Sequence, residues 1–165
     1  MIFIGIDPGK HGAVAWMDGD RKTIEVVDCP LEVGGDYHFQ AMADIVRRFP
    51  TDSLVTLELV DSFKSDRHWQ AFGFGIGYGA WLGILGSFAL CPQLVRPQVW
   101  KRTMLAGIAN DKRAEGKALV QRFQGHEIVS KLYGPRGGLH DGRVDALFLA
   151  EYGRLQHRLL GKRAA

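Results

Sequence analysis

Four acidic side chains stand where acids are not expected. Asp7 ends the apolar run Ile2-Phe3-Ile4-Gly5-Ile6 and precedes Pro8-Gly9, while Glu58 interrupts the apolar segment from Leu54 to Val60. Asp141 and Asp145 lie four apart at the head of a stretch that continues Ala146-Leu147-Phe148-Leu149-Ala150. A carboxylate among apolar residues is costly to desolvate unless it is paired or coordinates a cation. Each acid also has an ordinary reading. Asp7 could open an Asp-Pro-Gly turn, Glu58 could pair with an arginine, and Asp141 could cap a helix. Capping explains Asp145 poorly, because four residues bring a side chain back to the same helix face and like charges there repel. If the four acids converge, two Mg²⁺ ions, or Mn²⁺ in their place, would relieve the repulsion. Hard cations take oxygen ligands, and two of them about 3.5–4 Å apart stabilise both the attacking and the leaving oxygen of a phosphoryl displacement. The acids therefore point to metal-dependent phosphodiester hydrolysis, with Asp7, Glu58, Asp141 and Asp145 as ligands. No His/Cys cluster with zinc spacing and no phosphate-binding P-loop competes.

The elements that must carry these residues follow from periodicity. Ile2 to Ile6 predicts a buried strand, Ala13 to Met17 a second after a Gly-rich turn, and Thr23 to Val27 a third beyond the hairpin signal Asp18-Gly19. Ala41, Met42, Ile45, Val46 and Phe49 recur at helical spacing, and Pro50 ends that helix. Leu54 to Leu59 is a further strand. From about Asp66 to Phe88, aromatics mix with Gly75, Gly79 and Gly83, which recur every fourth residue. A helix there would carry a stripe without side chains, able to lie close to a sheet or another helix; a Gly-rich loop is the other reading. Gln93 to Val95 reads as a short strand. Asn110 is placed to cap a helix from about Asp111 to Phe123 with Ala114, Ala118 and Leu119 inward. Tyr133 to Gly138 reads as a loop, and Asp141 to about Leu160 as the closing helix. This order predicts an α/β fold with a mixed sheet, three antiparallel strands plus parallel ones, flanked by helices in a single domain over residues 1–165.

Composition agrees with an ordinary globular domain: 46% of residues are hydrophobic and 24% charged. No apolar run suffices to span a bilayer, and the first residues lack the features of a signal peptide, so a cytoplasmic protein with no membrane partner is expected. Cys29 and Cys91 are too few for a disulfide framework and are expected to be reduced. The net charge of +3 is compatible with a polyanion without requiring one. More telling are Lys101, Arg102, Lys112, Arg113 and Lys117, clustered between Arg96 and Arg122, and the tail residues Arg154, Arg158, Lys162 and Arg163. These are either solvated helix faces or phosphate contacts.

Taken in order, the motifs resemble the RuvC family of Holliday junction resolvases, especially its phage-type members. Ile4-Gly5-Ile6-Asp7-Pro8-Gly9 is similar to the first-strand motif, Leu57-Glu58 to the second acidic strand, and Asp141 with Val144-Asp145-Ala146-Leu147-Phe148-Leu149-Ala150 to the closing helix. Arg96-Pro97-Gln98-Val99-Trp100-Lys101 and Asn110-Asp111-Lys112-Arg113-Ala114 resemble the segment leading into the basic helix of phage members. The resemblance implies an RNase H-like subunit of a homodimer, each copy nicking one strand of a four-way DNA junction. It makes the same four acids the metal ligands. It also assigns a basic residue near the scissile phosphate to Lys112, or alternatively Lys117, and a base-contacting aromatic to Phe63, five residues past Glu58. Bacterial members place their last two acids three apart, and mitochondrial relatives tolerate four; Gly142 accompanies the wider spacing here, and His140 is the alternative ligand to Asp141.

The chemistry so implied is in-line attack of a metal-activated water, with charge on the departing 3′ oxygen stabilised by the second metal and Lys112, leaving a 5′-phosphate and a 3′-hydroxyl. A broader branched-DNA, flap or RNA–DNA hybrid nuclease is the alternative on the same fold. A nucleotide-binding protein of the actin and sugar-kinase type also begins with a strand ending in Asp-x-Gly, but it needs two such lobes. A junction-binding protein without catalysis would gain nothing from four carboxylates.

Overall fold

The computed structural model describes residues 1–59, 68–109, 111–134 and 137–163, with the side chains of 68–70 and 162–163 left aside. Its centre is a five-stranded mixed sheet in the order β3-β2-β1-β4-β5. The strands are β1 (Ile2–Asp7), β2 (Ala13–Asp18), β3 (Ile24–Asp28), β4 (Leu54–Glu58) and β5 (Gln93–Val95). β1 pairs antiparallel with β2 and parallel with β4, and β4 pairs parallel with β5.

Side chains alternate across the sheet, so each face has its own core. Ile4, Ile6, Val14, Val55 and Leu57 pack with helices α1 (Phe39–Val46) and α2 (His68–Ser87). Phe3, Ala13, Ala15, Met17 and Val95 pack on the other face. There they meet α3 (Pro97–Met104), α4 (Lys112–Arg122), α5 (Ile128–Lys131) and the long α6 (Asp141–Arg163). By the same alternation Asp7 follows Phe3 and Gly5 onto the α6 face, and Glu58 follows Thr56.

α6 crosses the centre of the sheet because small residues let it approach. A Cβ on Gly5 would lie 2.1 Å from the Ala146 carbonyl oxygen, and one on Gly153 would lie 2.5 Å from Thr56 Oγ1. At the helix start, a Cβ on Gly142 would lie 2.1 Å from the His11 carbonyl oxygen in the β1–β2 turn. These approaches press the first turn of α6 against the end of β1.

Several sequence expectations are refined. Asp7 belongs to β1 rather than following it, and the β2–β3 connection is longer than a two-residue hairpin, with Asp18 Oδ1 accepting from the backbone N–H groups of Lys22 and Thr23. α1 stops at Val46, so Phe49 packs edge-on against Trp16 from a turn. The 68–87 segment is helical, but its glycine stripe does not dock: Gly75, Gly79 and Gly83 have open space beyond them, and the close approach is at Gly77, against the Tyr37 ring. α3 and α5 are additional to the expected elements. Asn110 lies outside the described residues; Asp111 caps α4, its Oδ1 accepting from the Ala114 N–H at 2.9 Å. The inward residues of α4 are Glu115, Gly116 and Leu119, with Ala114 and Ala118 only partly covered. Cys29 and Cys91 are free thiols. No described helix is long and apolar enough to cross a membrane.

Candidate active site

β1 and β4 are parallel neighbours in which Ile6 pairs with Leu57, so Asp7 and Glu58 come next on adjacent strands, at their carboxyl ends. Adjacent strands lie about 4.8 Å apart, which brings the two carboxylates into electrostatic range. Open α/β sheets place ligands at this end of the strands. α6 adds Asp145 from above, on the turn before Leu149.

Burial dominates the electrostatics of the group. Desolvation raises Asp7 to about 6; the Gly9 N–H, donating to its Oδ1 at 3.2 Å, pulls the other way, and the Asp145 charge adds to the rise. Desolvation raises Glu58 to about 7, opposed by the Trp100 Nε1–H, which donates to Oε1 at 2.9 Å, and reinforced by the charges of Asp7 and Asp145. Asp145 is also raised by burial, although Lys112 Nζ donates to its Oδ2 at 2.7 Å. For Lys112 itself, burial lowers the pKa, but the hydrogen bond to Asp145 and the charges of Asp145, Asp141 and Glu115 outweigh it and the net direction is upward. These are carboxylates held in a poor solvent for charge, with one ammonium among them.

A cleft of about 540 Å³ opens over the group, bordered by Asp7, His11, Tyr37, Lys112, Asp141 and Asp145. Asp141 is exposed at its rim, and His140 sits beside it with a buried Nδ1 that has no hydrogen-bond partner among the described residues. Glu58 does not border this cleft; it is turned onto Trp100. The expected tight convergence is not present. Among the described residues, no three His, Cys, Asp or Glu side chains come together closely enough to grip a metal ion. The reason is visible in the pairings: Lys112 takes Asp145 Oδ2, and Trp100 takes Glu58. The donor chemistry nevertheless suits a hard divalent cation. It is all oxygen, it is under-compensated in charge, and Asp145 Oδ1 is buried without a partner.

Of the two lysines considered from sequence, Lys112 stands at the acids, whereas Lys117 borders a separate hollow with Tyr133 and Leu139. Lys101 is held by the buried Glu115 at 3.0 Å and lies over the Trp100 ring, while Arg102 and Arg113 are exposed. Phe63 lies outside the described residues. Arg154 is not available to a phosphate: it is buried, and its guanidinium forks onto Glu151, which Arg21 and Arg122 also approach. Three residues without an assignment from sequence complete the surroundings. Trp100 orients Glu58, and Glu115 pairs with Lys101. Arg143 clamps the start of α6 by a bidentate grip on Asp28 while donating to the carbonyl oxygens of Lys131 and Tyr133. A signal for the first existed, since Pro97 at a helix N1 position predicts α3 and puts Trp100 one turn inside it.

The mixed sheet with its central helix places the chain in the RNase H-like class of α/β folds. Within that class it is similar to RuvC of Thermus thermophilus. The structure of T. thermophilus RuvC in complex with Holliday junction substrate matches with a TM-score of 0.62 at 17% identity, over 96% of both chains. A second Thermus thermophilus RuvC structure matches with a TM-score of 0.60 at 22% identity, again over 96% of each. No protein-family model and no curated protein sequence matches the chain.

Proposed function

We propose that this protein is a metal-dependent endonuclease that resolves four-way DNA junctions by paired nicks. The observation that carries the reading is the meeting of three buried carboxylates from remote parts of the chain, Asp7, Glu58 and Asp145, beside the single ammonium of Lys112 at the mouth of a cleft. The fold likeness to a RuvC crystallised with a Holliday junction supports the choice of substrate. Asp7, Glu58, Asp145 and Asp141 would hold two Mg²⁺ ions. When bound, these would supply an activated water and neutralise charge on the phosphate. The chain's own residues do the rest. Asp7 is fixed by the Gly9 N–H and Glu58 by Trp100, so neither carboxylate is free to turn away. Lys112 faces the cleft and can donate to a phosphate oxygen as charge builds on the leaving group. The exposed Arg102, Arg113 and Lys117 are the candidates for backbone phosphate contacts, which makes binding salt-dependent.

The protein would act as a homodimer. In support, the exposed face of α2 presents Phe72, Gly75, Ile76, Gly79 and Gly83 to open space, a face without a charged side chain. The deciding experiment incubates the purified protein and Mg²⁺ with labelled four-way junctions, flaps, forks and RNA–DNA hybrids. Symmetrical paired nicks confined to the junction, abolished in Asp145→Asn while junction binding survives, are expected. Cleavage mainly of flaps or hybrids would transfer the assignment to another nuclease of this fold. Full activity of D145N would remove the acid group from the mechanism.

A further inference from the structure

Lys112 stands between two carboxylates. Its Nζ lies 2.7 Å from Asp145 Oδ2 and 4.0 Å from Glu115 Oε2. Glu115 is only 3% exposed, and the same Oε2 accepts from Lys101 Nζ at 3.0 Å. A carboxylate this buried persists only when cations hold it. On the far side of the ammonium, Asp145 keeps its Oδ1 buried and without a partner, so the lysine satisfies half of that carboxylate. The lysine stem is flexible, and swinging its head between two oxygens needs no movement of the backbone.

We propose that Lys112 is the resident counter-cation of Asp145 and that an incoming divalent ion hands it over to Glu115, which makes Glu115 a positioning residue of the nuclease centre. This rests on the metal reading of the preceding section. It accounts for the absence of a ready-made ligand group among the described residues, because one ammonium balances Asp145 and leaves Asp7 and Glu58 spread apart. A divalent ion brings more charge than the ammonium and can draw the carboxylates in. Glu115 keeps the displaced ammonium paired, and Lys101 keeps Glu115 paired before the transfer, so no charge is buried alone in either arrangement. After the transfer Lys112 still borders the cleft, where a phosphate oxygen can replace the lost Asp145 contact. Loading the metal and freeing the lysine for the substrate then become one event.

The test is calorimetric titration of the full chain with Mn²⁺ in the absence of DNA. Lys112→Met should bind Mn²⁺ about tenfold more tightly, equivalent to about 1.4 kcal/mol, because no ion pair has to be broken. Lys117→Met, which removes the same charge from a separate hollow, should shift affinity by less than about twofold. Glu115→Gln should weaken binding by about tenfold, and that loss should vanish in the K112M background, since without the lysine there is nothing to receive. Glu115→Asp, which keeps the charge, should recover most of the affinity. Circular dichroism verifies the fold of each variant, with Lys112→Gln replacing a K112M that does not fold. Affinity in K112M equal to or weaker than wild type overturns the hand-over, as does an E115Q penalty that persists without Lys112. Wild-type protein that takes up no Mn²⁺ removes the metal reading itself, and this inference with it.

Discussion

Gly142 offers a perturbation whose size can be worked out from the structure. It lies in the first turn of α6, between Asp141 and Asp145, and a methyl group added there would sit 2.1 Å from the His11 carbonyl oxygen and 2.7 Å from Gly12 Cα. Both are backbone atoms of the turn that follows Asp7, so no side chain can rotate away. Relieving the overlap to an ordinary contact of 3.4 Å requires about 1.3 Å of separation between the helix start and that turn. Overpacking of this kind costs roughly 1–3 kcal/mol, and the better helix propensity of alanine returns up to about 1 kcal/mol. The net loss of about 1–2 kcal/mol lowers Tm by roughly 2–8 °C in a chain of this size. Activity should suffer far more, because a misplacement of about 1 Å in a reacting group costs on the order of 100-fold. Gly161→Ala, in the same helix but with open space around it, is the control. The assay is junction nicking at saturating Mg²⁺ alongside thermal melting. G142A that nicks like wild type would refute the argument that the close approach of α6 to the β1–β2 turn sets the spacing of Asp145 and Asp7.

Three further expectations follow from the same geometry. Trp100→Phe removes the donor that favours ionised Glu58, so in metal-free protein the carboxyl titration of Glu58, followed by ¹³C NMR, should move above about 7; a midpoint that stays or falls contradicts the assignment. Asp7 and Glu58 hold protons in the folded state that the unfolded chain has already released. Their contribution to stability is therefore greatest below the unfolded carboxylate range and is lost as pH rises through about 6 and about 7. The Tm of metal-free protein should fall between about pH 5 and about pH 8, and Asp7→Asn with Glu58→Gln should flatten that slope; an unchanged slope sinks the claim. Gly79→Glu puts a charge in the middle of the uncharged α2 face, and light scattering should show a monomer that still melts cooperatively, whereas an unaltered dimer would place the interface elsewhere.

The framework of the site was legible in the sequence because strand periodicity is strict. Once Ile4 and Ile6 are buried on one face, Asp7 must share the other with Phe3 and Gly5, and the same parity places Glu58 with Thr56. The closing helix announced itself by its apolar stripe, and Asp145 by being charged inside it. Less legible was whatever depends on what a face meets. Gly75, Gly79 and Gly83 define a stripe in the sequence, but spacing alone does not say whether it faces a sheet or open space. Glu115, amid Lys112, Arg113 and Lys117, read as part of a solvated helix, and only the arrival of Lys101 from α3 makes its burial tolerable. Arg154 read as a free cation of a basic tail, although its i,i+3 spacing from Glu151 was a local signal for the fork they form.

Anomalous diffraction from crystals soaked in Mn²⁺ bears most directly on the chemistry. Two manganese peaks bounded by Asp7, Glu58, Asp141 and Asp145, with Lys112 moved off Asp145, are predicted. Manganese bound only elsewhere on the chain, with these carboxylates still paired to Lys112 and Trp100, would contradict it.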